Sequence, residues 1–203
     1  MFEELDSIIE MLSNESPAPG GGSAAAISGA LAASLGAMIT KIVLKSERHK
    51  EVWPDSERLK NEFMNLSREF KELALQDAQA YLEVVEEAKK KKRGEPHKLE
   101  AAERRAALVP LRTCVRALEL LKLLRDVEIL RFKSTASDQL VALMLAKAAF
   151  SGGKANVFVN LAALDPSTAQ DLKVKIGIWE MEFEGIFKII ESELSSQLSF
   201  DIG

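Results

Sequence analysis

At 203 residues, with 47% hydrophobic and 29% charged side chains, the chain has the size and balance of one globular domain spanning 1–203. A net charge of −4 argues against a general nucleic-acid binder, which needs a basic face. A single cysteine, Cys114, excludes an internal disulfide framework and suits a reducing cytoplasm.

The first residues, Met-Phe-Glu-Glu-Leu-Asp, are acidic, unlike a secretory signal. Leu5, Ile8, Ile9 and Leu12 form the stripe of a short amphipathic helix. The stretch Ser16-Pro-Ala-Pro-Gly-Gly-Gly-Ser-Ala-Ala-Ala26 follows. Gly20, Gly21 and Gly22 offer bare backbone able to take φ > 0 and to approach a ligand closely. Ser23 reads as the N-cap of a second helix reaching about Ser46. A glycine loop feeding a helix N-terminus suits a polar or anionic ligand group, although such loops also serve as tight turns. Residues 17–40 carry no charge and are long enough to cross a bilayer. The prolines, glycines and small side chains instead predict a central helix packed closely on its neighbours, within a subunit or across a dimer, and no membrane association.

A third helix is predicted over about 55–92. Its stripe runs Leu59, Phe63, Leu66, Phe70, Leu73, Asp77, Tyr81, Val84, Ala88. Gly94 and Pro96 break the chain. A fourth helix covers about 98–127, with a kink expected at Pro110. Residues 134–137 form a polar connector. A fifth helix, 138–150, is expected to end at Gly152-Gly153. Residues 156–164 read as helix, since no second strand exists to pair with them. Pro166 opens the last helix, with a stripe from Leu172 to Leu198. The fold class is therefore all-α: a bundle of five to six helices around a small-residue helix.

Asp77 is the foremost candidate for chemistry. It occupies a stripe position where an apolar residue is expected. Burial raises a carboxyl pKa unless cations or hydrogen bonds compensate, and such groups serve as acids or bases. A buried structural Asp bonded to an Arg or to a backbone group fits the pattern equally well. Asp138 stands at a helix start, where the dipole favours an acid. It could instead accept the adjacent N–H and amino groups of a pterin ring. Asn156 and Asn160 share a helix face among apolar neighbours, and either bind ligand polar groups or tie the glycine segments together. His49 and His97 read as surface residues, and Cys114 as core. No grouping has metal-ligand spacing, and no P-loop, nucleophile elbow or dinucleotide fingerprint is present. Lys89 to Arg93, five consecutive cations, is either a solvated helix end or a landing site for an anionic tail.

Pro17-Ala-Pro-Gly-Gly-Gly-Ser23 before a small-residue helix resembles the opening of the formiminotransferase-cyclodeaminase C-terminal family, which also includes bacterial methenyltetrahydrofolate cyclohydrolases. Asp77-Ala-Gln-Ala-Tyr81, Val109-Pro110-Leu111, Ser137-Asp138 and Asn156-Val-Phe-Val-Asn-Leu161 match in the same order. The resemblance implies a cytoplasmic homodimer acting on a tetrahydrofolate derivative, with no separate cofactor and no metal. It makes Asp77 the catalytic acid. It puts Gly20, Gly21, Gly22, Ser23, Ser137, Asp138, Asn156 and Asn160 around the folate, and makes a polyglutamate tail the anion that Lys89–Arg93 would meet. The expected activity is cyclodeamination of 5-formimidoyltetrahydrofolate. The alternatives are methenyltetrahydrofolate cyclohydrolysis and a non-catalytic, folate-binding or merely dimerising protein. One departure stands out: Arg131-Phe132 occupies the place of a Gly-Asn pair common in relatives, and is expected to reshape the pocket.

Overall fold

The computed structural model describes residues 2–16, 18–127 and 133–198. These form six α-helices, with no strand among the described residues. They are α1 (Phe2–Ser13), α2 (Gly21–Val43), α3 (Trp53–Lys92), α4 (Leu99–Val127), α5 (Ala136–Asn160) and α6 (Pro166–Leu198). Helices α2 to α5 form a closed up-and-down four-helix arrangement, in which each packs on its neighbours in sequence and α5 returns to α2. Helix α6 lies along α5 and α4. The exposed apolar residues of α1 include Ile8, Ile9, Met11 and Leu12.

The seam between α2 and α3 has a seven-residue rhythm. Buried residues of α3 fall at Ser56, Leu59, Phe63, Leu66, Phe70, Leu73, Ala80 and Glu87, spaced by three and four until a seven-residue gap opens between Leu73 and Ala80. Asp77 fills that gap. Facing it, α2 places glycines at the same interval. A Cβ on Gly36 would lie 2.6 Å from the Phe63 ring, and one on Gly29 would lie 2.5 Å from Phe70. Each phenylalanine therefore occupies the space a side chain would take, and the two backbones close up. Gly22 stands opposite Asp77 in the next repeat. The buried seam passes through Ala80 rather than Tyr81, which is exposed, because the 3–4 spacing rotates Tyr81 off the core face.

Several local expectations need correction. Ser23 is not an N-cap: α2 begins at Gly21 behind Gly20, whose extended backbone has φ −131°. None of the three loop glycines takes positive φ; that conformation belongs to Gly94 (φ +73°), at the end of α3. Helix α5 does not stop at Gly152-Gly153 but continues to Asn160. Two glycines weaken a helix by about 1 kcal/mol each. Here they admit close packing, since a Cβ on Gly153 would lie 2.9 Å from Cys114 Sγ on α4. The segment from Asn156 is thus the last turn of α5, not a separate element. Helix α4 runs unbroken through the buried Pro110.

Helix α2 is long and apolar enough to cross a membrane by composition. Thirteen of its 23 residues are buried in the bundle instead. Leu31, Met38 and Ile42 leave one of its faces open.

Candidate functional site

The first turn of α2, the middle of α3, the start of α4 and the last turn of α5 converge at one end of the bundle. They enclose a cleft of about 230 Å³ lined by Ala18, Gly20 to Gly22, Asp77, Tyr81, Ala106, Asn156, Val159 and Asn160. Six of the nine sequence-nominated residues thus line one cleft: Gly20, Gly21, Gly22, Asp77, Asn156 and Asn160.

Asp77 is held by Ser23. The Ser23 hydroxyl lies 3.0 Å from Asp77 Oδ2 and 3.0 Å from the Ala74 carbonyl oxygen. The Ser23 backbone N–H also stands on the side of the Asp77 carboxyl and favours its charged form. Helix α2 has no side-chain cap of its own. A carboxyl from α3 therefore meets one of the N–H groups that every helix start leaves open. Burial pushes the Asp77 pKa above its ordinary value, and the two Ser23 hydrogen bonds pull against that rise. Among the described residues no cation offsets the burial, so an Arg partner does not describe Asp77, whereas the other structural alternative, a backbone partner, has its counterpart in the Ser23 backbone beside it. Arg105 is engaged by Glu83, and Arg112 donates to Gln76 Oε1 at 2.9 Å.

The two asparagines hold backbone while facing the cleft. Asn156 Nδ2 donates to the Gly152 carbonyl at 2.8 Å, and Asn160 Nδ2 donates to the Ala106 carbonyl at 3.1 Å. Asn160 thereby ties α5 to α4. Its side-chain oxygen, and that of Asn156, remain as acceptors toward a ligand.

Ser23 is buried behind Asp77 and does not line the cleft. Ser137 and Asp138 sit in the first turn of α5. Asn156 lies eighteen residues further along the same helix, roughly 27 Å away at 1.5 Å per residue. Within one chain they do not join the site. Arg131 and Phe132 lie outside the described residues. Lys89–Arg93 ends α3, roughly 20 Å beyond Asp77 along the axis. Two of its cations are paired, Lys90 with Glu87 and Arg93 with Glu95. His49 and His97 are not among the lining residues. Burial pushes the Cys114 thiol up to about 12, which removes it as a nucleophile at neutral pH. Among the described residues no group of three His, Cys, Asp or Glu side chains could hold a metal ion.

Sequence reasoning passed over Ala18, Tyr81, Ala106 and Val159 as cleft residues. Ala18, Ala106 and Val159 are small or apolar and carry no chemical signature, and Tyr81 read only as a position on the α3 stripe. Only the meeting of the helices places them there.

Comparison with known proteins follows the same lines. A curated methenyltetrahydrofolate cyclohydrolase from Methylorubrum extorquens is 27% identical over 190 residues, covering 91% of this chain and 88% of that one. The crystal structure of a formiminotetrahydrofolate cyclodeaminase from Thermotoga maritima superposes with a TM-score of 0.87 at 27% identity, over 96% of this chain and 97% of that one. The family model described as formiminotransferase-cyclodeaminase matches residues 4–177. The chain belongs to the formiminotransferase-cyclodeaminase family.

Proposed function

We propose that this chain is a folate-dependent cyclodeaminase, converting 5-formimidoyltetrahydrofolate to 5,10-methenyltetrahydrofolate with release of ammonia. The observation that carries the reading is Asp77: a carboxyl raised by burial, without a cation partner among the described residues, opening onto a cleft at a helix N-terminus. In the reaction, substrate N10 adds to the formimidoyl carbon, the C=N double bond becomes single, and the N10 proton passes to the imino nitrogen. The resulting tetrahedral centre holds an amino nitrogen that leaves poorly as an anion. Asp77 gives its proton to that nitrogen, the carbon–nitrogen bond breaks, and ammonia departs. The cleft is smaller than the 300–1,000 Å³ usual for a whole drug-sized ligand. It suits the reacting ring system, with the remainder of the folate lying outside. The reaction as written requires neither a metal nor a further cofactor.

The second reading is methenyltetrahydrofolate cyclohydrolysis, favoured by the name of the Methylorubrum relative. Water then adds to the methenyl carbon, and Asp77 serves as the acid–base group. Side-by-side assays with 5-formimidoyl- and 5,10-methenyltetrahydrofolate, following the methenyl absorbance, separate the two. Turnover of neither folate overturns both.

The working unit in this reading is a homodimer. Its support is the open α2 face of Leu31, Met38 and Ile42, beside exposed Val141 and Met144 on α5. A two-fold axis across the bundle inverts the partner's helices. That arrangement brings a second copy's Ser137–Asp138 end toward this copy's glycine turn, which one chain alone does not achieve.

A further inference from the structure

We propose that Ser23 is a positioning residue that acts through Asp77, its hydroxyl turning from the Ala74 carbonyl to Asp77 Oδ2 when Asp77 gives up its proton. The proposal rests on the acid role assigned to Asp77 above.

The geometry is that of a hydroxyl with one proton between two acceptors. Ser23 Oγ is 3.0 Å from each, and the side chain is 1% exposed. While Asp77 is protonated on Oδ1, the oxygen that the Ser23 hydroxyl does not engage, Oδ2 is an uncharged carbonyl oxygen and the Ser23 proton rests on the Ala74 carbonyl. When the Asp77 O–H bond breaks and the proton moves to the departing nitrogen, Oδ2 shares the negative charge. The Ser23 hydroxyl needs only to rotate about its C–O bond to donate to it. The Ala74 carbonyl tolerates the loss, because it belongs to α3 and keeps its place in the helical hydrogen-bond ladder. A donor thus meets the charge as it forms, with no movement of backbone. That is the arrangement by which a preorganised dipole lowers a barrier.

Among the described residues no other group takes over this task. Helix α2 carries no charged side chain from Gly21 to Thr40. Helix α5 faces the cleft with neutral Asn156 and Asn160. Arg105 and Arg112 of α4 are engaged by Glu83 and Gln76. Tyr81 is the remaining ionisable side chain in the lining. The Ser23 backbone N–H beside Asp77 is fixed by the helix and cannot turn. The assignment also moves Ser23 from the ligand-contact role expected of it to one behind the acid.

The test compares wild type, Ser23→Ala and Ser23→Thr. The Asp77 carboxyl is titrated by ¹³C NMR, its signal identified by its loss in Asp77→Asn. Hydrogen bonds to charged groups are worth enough to move a pKa by about one pH unit. In Ser23→Ala the titration should therefore move about one pH unit upward. Where a folate is turned over, kcat should fall about tenfold with KM little changed, and the alkaline limb of kcat should follow the titration upward. Ser23→Thr, which keeps the hydroxyl, should restore both. A role confined to packing lowers the melting temperature and leaves the titration where it was. An Asp77 titration unchanged in a folded Ser23→Ala variant overturns the proposal. If wild type turns over neither folate, the function above falls, while the titration still reads the Ser23–Asp77 relationship by itself.

Discussion

Gly22 and Asp77 meet without room for a side chain between them: a Cβ on Gly22 would lie 2.6 Å from Asp77 Cγ. The relationship continues the pairing of Gly29 with Phe70 and Gly36 with Phe63, so the Asp77 carboxyl occupies a place that the packing pattern reserves for a core side chain. The seam leaves Asp77 half-buried and places it against the α2 N-terminus.

Gly22→Ala should therefore damage the site far more than Gly21→Ala. The first forces the Asp77 carboxyl away from Ser23. The second meets only the Asn156 amide at 3.5 Å, an ordinary contact. Since neither glycine uses positive φ, conformational strain does not enter. Folate affinity by calorimetry and turnover on both variants check this. Equal effects would show that the carboxyl is not held by this contact.

Gly29→Ala and Gly36→Ala should lower stability without touching the cleft. Each new methyl overlaps a buried phenylalanine ring, and overpacking of this kind costs about 1–3 kcal/mol. Denaturant midpoints should fall while kcat per folded molecule stays at the wild-type value. A change in kcat would mean that the seam transmits strain to Asp77.

Asp77→Asn should lose about 100- to 10,000-fold in kcat, as expected for removal of a general acid, with a smaller effect on substrate binding. Its stability should change in the opposite sense. Burial raises the folded-state pKa of Asp77 above the unfolded value. The folded state then gains from the neutral carboxyl at low pH and loses that gain as pH rises through the folded pKa. Asn, which does not ionise, escapes the loss. The melting temperature of Asp77→Asn at neutral pH should equal or exceed that of wild type, and the difference should vanish in acid. A variant less stable at neutral pH than in acid, relative to wild type, would contradict the sign.

Mixing Asp77→Asn with Asp138→Asn should restore part of the turnover if two copies share each site. Random exchange then leaves hybrid dimers with one intact site. No recovery after verified subunit exchange would remove Asp138 from the partner's site.

Much of the architecture was legible because helical burial has a short period. The stripe from Leu59 to Leu73, the break at Gly94 and the long helix after Pro166 are local signals, readable from spacing and turn chemistry alone. The same periodicity exposed Asp77 as a carboxyl on a core face, and the glycine turn, Asn156 and Asn160 stood out as polar or bare positions among apolar neighbours. Composition and order of motifs also sufficed for the family resemblance.

Tertiary structure decided what each of those residues does. Ser23 has the local appearance of an N-cap, yet its hydroxyl belongs to Asp77, fifty-four positions away. Gly152 and Gly153 look like a helix end, yet close packing carries α5 through them. Ser137–Asp138 and Asn156 lie on one helix, and only the straight run of that helix shows that they occupy opposite ends of the molecule. The physical reason is common to all three. Propensity and period are set by neighbours along the chain, whereas hydrogen-bond partners, close approaches and distances between sites arise from which helices come to lie side by side.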